Sequence, residues 1–274
     1  MAVKTYYWDK KKFFPGEIYL RKLTKKSIDS KFKIGNAGDI FTKIIIRTYY
    51  QNKSKLIHNQ GGRILFTGSI LHVTKAGDYL CGIGAKTENI IINHPLNILS
   101  LRGPLTYDLL KQRGYDLSNV KSLLDPGLLI KYITPKRYFD NTEKDIGVIP
   151  HYREKNYECY KNLPRNFKII DIDDHPANVA KKILKKELIV SSSLHGLIFA
   201  HSLNKPLIFV KPLTNEPLFK FEDYFLSINK NFSKPIPFDY KKIGKLKEIM
   251  PPKIKEDDIF IPEYAYLKEN NLII

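Results

Sequence analysis

"LIVSSSLHGLIFAHSLNKPLIFV", residues 188–210, decides the fold. Residues 188–192 and 206–210 are short apolar runs without alternation, the mark of strands covered on both faces. Residues 194–203 between them read as a helix. Three serines and a histidine, Ser191, Ser192, Ser193 and His195, stand where the first strand gives way to that helix. Strand, helix and strand in so short a stretch point to a parallel sheet covered by helices.

Working outward, the same alternation recurs. Residues 145–152 and 167–173 read as strands. A helix follows at 176–186 and a short one is expected at 156–163. In the first half, 32–50 reads as an extended piece, a Gly-rich turn and a helix from about Asp39. Residues 63–71 and 89–95 read as strands, 97–116 as strand, turn and helix, and 120–130 as a strand closed by Asp-Pro-Gly. The helix in 97–116 has Pro104 near its first position and Gly114 just past its end. The expected fold is therefore α/β: two Rossmann-like parallel-sheet domains facing a cleft. They would be residues 1–143 and 144–274, joined by the Pro- and charge-rich stretch 133–144. The second would carry a basic amphipathic helix at 240–250 and a tail.

The 274 residues suffice for a substantial core. No apolar run reaches the length of a membrane span, and the start lacks the pattern of a signal peptide, so a cytoplasmic protein is expected. Two cysteines, Cys81 and Cys159, make neither a disulfide framework nor a metal cluster and read as buried thiols. The histidines show no metal spacing, so no metal is expected. A net charge of +18 draws anions: nucleic acid, anionic lipid or a phosphorylated substrate. No nucleic-acid module appears, and the lysine-rich stretches have the spacing of solvated faces.

In open α/β sheets, ligands bind beyond the carboxyl ends of strands, and the polar clusters fall at those ends. Ser192, Ser193 and His195 begin a helix whose free N–H groups suit a phosphate or carboxylate. The alternative is a serine cap and a structural histidine. Arg102 occupies the matching turn of the first half, as an anion-binding fork or a surface arginine. In "GNAGD", residues 35–39, Gly35 and Gly38 allow close backbone approach, and Asp39 is a helix cap or a base. Gly68, Ser69 and His151 also end strands. Clusters split between two halves suggest transfer between two substrates, one anionic.

Taken together, "GNAGD", "FTGSIL", "SLRGPLT", "DPGLL", "GVIPHY" and the opening stretch resemble, in order and spacing, the polysaccharide pyruvyl transferases, over about residues 33–210. The resemblance implies a GT-B-like fold. It also implies transfer of pyruvate from phosphoenolpyruvate to a sugar of a surface polysaccharide or its lipid-linked precursor, forming a ketal and releasing phosphate. By position it places the donor-binding arginine on Arg102, the histidine on His195, and the early Asn and Asp on Asn36 and Asp39. No cofactor beyond the donor is implied. A lipid-linked acceptor would bring the basic chain to an anionic membrane face. A GT-B nucleotide-sugar glycosyltransferase is the alternative, with Glu216 as its candidate ribose contact, and a nucleic-acid-binding protein the third reading.

Overall fold

The computed structural model describes residues 1–8, 36–139, 142–232 and 234–274. Gly35, half of the expected Gly pair, and residues 140–141 of the expected linker lie outside them.

Two parallel sheets organise the chain. The first has five strands: β1 (Ala2–Thr5), β2 (Lys53–Leu56), β3 (Ile64–Leu65), β4 (Asp78–Cys81) and β5 (Leu96–Ser100), in the order β2-β1-β3-β4-β5. The second has four: β6 (Glu143–Ile149), β7 (Phe167–Ile169), β8 (Lys186–Ser191) and β9 (Leu207–Phe209), in the order β7-β6-β8-β9. Every pairing within them is parallel. The mixed α/β architecture with parallel sheets is as the apolar runs predicted. Both sheets start from an inner strand, step outward once, then return to its other side. The order thus reverses beside β1 and beside β6, and such reversals open a crevice at the carboxyl ends of the strands.

The main helices are α1 (Ala37–Tyr50), α2 (Pro104–Gln112), α3 (Ile130–Ile133), α4 (Pro176–Leu184), α5 (Leu194–Ser202), α6 (Phe219–Ser227) and α7 (Tyr264–Glu269). Asn36 caps α1, its side chain accepting from Gly38 N at 3.0 Å. Gln51 ends α1 in the left-handed region, φ 53°. Every residue of α5 is buried, as befits a helix apolar all round. It lies where the two halves meet. One apolar cluster runs from Val3, Phe41 and Phe66 through Phe199 to Ile149 and Phe209, and the Phe41 and Phe199 rings meet edge-on at 5.5 Å. Smaller clusters line the outer face of each sheet.

Several local expectations need correction. Residues 89–95 form no strand, and Ile91 is exposed, because the fifth strand begins only at Leu96. Around 120–124 a single bridge, Ser100 to Ser122, replaces the strand. The expected helix at 156–163 is one 3-10 turn, Glu158–Tyr160. The expected helix at 240–250 contains only the turn Ile243–Lys245. That segment crosses the outer face of the second sheet, with Ile243 and Leu246 against Ile146 and Val190 and its lysines in water. Cys81 is buried, but Cys159 is exposed. The final residues return to the first sheet, where Ala2 N donates to Ile274 O and Lys4 N to Leu272 O.

Candidate active site

The loops leaving β1, β3, β6 and β8 open on one cavity of about 170 Å³. Its lining includes Trp8 after β1, Ser69 after β3, His151, Tyr152 and Arg153 after β6, and Ser193, Leu194 and His195 after β8. Asn36 and Asp39 enter from the first turn of α1, and Lys86, Glu216 and Lys220 complete its polar wall.

The three serines of the opening stretch separate into different tasks. Ser191 Oγ donates to Ile149 O at 2.9 Å and accepts from Ser193 N at 3.0 Å. Ser192 Oγ donates to the buried carboxylate of Glu154 at 2.8 Å and accepts from His151 N at 2.9 Å. Ser191 thus ties to the end of β6 and Ser192 to the loop after it, and Ser192 does not line the cavity. Only Ser193 does. It stands at the N-cap of α5, yet no side chain caps that helix, so its first turn keeps N–H groups for a ligand.

His195 sits at the second position of α5 and is buried. Its ring lies on the backbone of Gly38; a Cβ there would come within 1.8 Å of the imidazole Cγ. Gly38 is thus required by close approach, and the first turns of α1 and α5 meet at this ring. Nε2 of His195 is buried without a hydrogen-bond partner, as is Nδ1 of His151. Burial, with Arg102 and Lys220 nearby, lowers the His195 pKa to about 3. Burial and Lys220 lower that of His151 to about 4, against the pull of Glu216. Both rings are neutral at physiological pH. Each has one buried nitrogen without a partner, and buried polar atoms are rarely left that way.

The sequence leaves Asp39 as a cap or a base. Asn36 takes the cap, leaving the Asp39 carboxyl to face the cavity. Burial raises its pKa to about 7, with Lys220 opposing and Asp125 and Asp173 adding to the rise. The folded state then holds this proton more tightly than the unfolded chain. The resulting stability is present below pH 4 and lost as pH rises through 7. Asp39→Asn should therefore flatten the pH dependence and be more stable than wild type at pH 8, as measured by urea melts at pH 5 and 8.

Arg102 corrects the sequence reading. It is fully buried and does not line the cavity. Its Nε donates to Asp223 of α6 at 3.0 Å, its Nη2 to Ala85 O at 2.6 Å, and its Nη1 to Ser69 Oγ at 2.6 Å. Asp223 also accepts from the N–H and hydroxyl of Thr106, in the first turn of α2. The fork is held by the protein rather than offered to solvent, and what it presents to the cavity is the Ser69 hydroxyl. Gly68, with φ 109°, makes the turn before Ser69 and is not itself in the lining.

The cations of the cavity are residues that sequence reasoning missed. Lys220 Nζ, almost wholly buried on α6, lies 2.7 Å from Glu216. Arg153 reaches the same carboxylate at 3.2 Å and Lys86 at 3.5 Å. Burial would raise the pKa of Glu216, but Lys220, His151 and Lys86 prevail and hold it down to about 2. Three cations thus share one permanent carboxylate, leaving positive charge for an anion. The ribose contact considered for Glu216 is not favoured, because its oxygens already serve these cations. Among the described residues, no group of three or more His, Cys, Asp or Glu could hold a metal ion, and no helix is long and apolar enough to cross a membrane.

An uncharacterised protein of Acanthamoeba polyphaga mimivirus is 30% identical over 201 residues, 69% of either chain. The crystal structure of an uncharacterised protein from Klebsiella pneumoniae matches 78% of this chain and 94% of its own, at 14% identity and a TM-score of 0.41. Residues 4–212 match the family described as polysaccharide pyruvyl transferase, a span that takes in both sheets and every lining residue of the cavity but Glu216 and Lys220. The chain therefore belongs to the polysaccharide pyruvyl transferases, enzymes of pyruvyl transfer in polysaccharide biosynthesis.

Proposed function

We propose that the cavity binds phosphoenolpyruvate and transfers its pyruvyl group to two hydroxyls of a sugar, as a ketal, with release of phosphate. The observation that carries this reading is the surplus of cations, Lys220, Lys86 and Arg153 against Glu216, beside the unpartnered Nε2 of a neutral His195. A phosphate and a carboxylate together need such a surplus. The open first turn of α5 and the Ser193 hydroxyl add donors for the phosphate.

The chemistry balances with the groups at hand. A proton adds to the methylene carbon, and the central carbon becomes electrophilic. One sugar hydroxyl bonds to it and the bond to phosphate oxygen breaks. The second hydroxyl then closes the ring. Of the two hydroxyl protons, one ends on the new methyl group and one on phosphate. Asp39, with a pKa of about 7, is suited both to give a proton and to take one near neutral pH. His195 stays neutral and donates to the departing phosphate. The acceptor is a glycan or its lipid-linked precursor. The second would bring the enzyme against the anionic cytoplasmic face of a membrane, which the net charge of +18 favours.

Calorimetry with phosphoenolpyruvate tests the donor. Wild type should bind it, and Lys220→Met should weaken binding about tenfold or more, the loss of one buried charged contact. A nucleotide diphosphate should not bind. Binding of the nucleotide without phosphoenolpyruvate would replace this reading with a nucleotide-sugar glycosyltransferase.

A further inference from the structure

Among the described residues, Trp8 alone of the exposed large apolar side chains lines the cavity. It is also the only tryptophan of the chain, and 49% of its surface is open. An indole is the largest apolar surface a side chain can bury, and leaving half of it in water at a cavity wall forgoes that gain until a ligand covers it. Its place is not incidental, since it follows β1 at the point where the strand order reverses. The cations that suit the donor come from other elements, α6 and the loops after β4 and β6. Phosphoenolpyruvate has no broad apolar face to lay on an indole. A pyranose ring does, in the C–H groups of one side, while its hydroxyls need polar partners at the rim. Asn36, Asp39 and the unpartnered Nδ1 of His151 line the same cavity.

We propose that Trp8 is the platform of the acceptor subsite, on which the sugar that receives pyruvate stacks. The proposal rests on the donor reading above, yet it can fail separately. As the chain's single tryptophan, Trp8 is its own reporter. The full chain would be titrated with methyl β-D-galactopyranoside and methyl β-D-glucopyranoside, following intrinsic fluorescence with and without phosphoenolpyruvate. At least one glycoside should change the emission saturably, with affinity in the range of about 1–10 mM expected of a small neutral ligand. By saturation-transfer NMR, Trp8→Phe should keep that affinity within about threefold, and Trp8→Ala should lose about tenfold or more, as removal of a stacking ring does. Phosphoenolpyruvate affinity should stay within about twofold in both variants, which shows that the cavity is intact. Undiminished glycoside binding by Trp8→Ala would overturn the proposal. So would emission unmoved by either glycoside in a protein that binds phosphoenolpyruvate, or emission that answers only to uridine diphosphate. A glycoside response without phosphoenolpyruvate binding would instead sink the donor reading and leave the platform standing.

Discussion

Arg102→Ala should unfold at a temperature about 10 °C lower than wild type. The substitution removes the guanidinium from a buried pair and leaves Asp223 charged, with only Thr106 beside it. Breaking a buried pair from one side costs about 3–5 kcal/mol, and a chain of this size loses about 2–4 °C per kcal/mol. Arg102→Lys should recover little, because one ammonium cannot reach Asp223, Ser69 and Ala85 O together as the planar fork does. Thermal melts of both variants decide the matter. If Arg102 instead held the donor directly, Arg102→Ala would melt near wild type and fail only in binding.

His195→Ala has the opposite signature. Turnover should fall about a hundredfold or more, the usual loss on removing a group that handles a proton or a leaving group. Stability should change little by comparison, since Nε2 makes no hydrogen bond within the protein and the loss is one of packing against Gly38 and Phe199. Turnover close to wild type would return His195 to a structural role. Measured as a pair, the two variants separate the residue facing the ligand from the one that holds the wall.

This division was half legible in the sequence. Asp39, Ser69, His151, Ser193 and His195 were found because apolar runs mark strands, and whatever follows their carboxyl ends faces the crevice. The structure brings these residues to one cavity. Lys220 and Lys86 carry no such mark. In a chain rich in lysine, one more on a helix is indistinguishable from a solvated one until the fold buries it. The fate of Arg102 was equally hidden, because its partner Asp223 is 121 residues away. The strands show the same limit. β9 is apolar throughout and β8 carries the apolar run 188–190, and both are plain in the sequence. β2, "KSKL", lies at an edge with alternate residues exposed, and edge strands are often charged so as to repel other strands. It resembles a loop. The reverse error occurred at 89–95, an apolar stretch that the fold leaves outside the sheet.

The bonds between residues 2–4 and 272–274 bear on how the chain is made. A ribosome delivers β1 before the other strands of both sheets, and domains that emerge first tend to fold first. Here the hydrogen bonds that fix the start of β1 wait for residues translated after both sheets. The strand that leads to Trp8 and the cavity thus gains its last constraint when synthesis of this stretch is over. A nascent chain halted after β9 would carry its strands without that clasp.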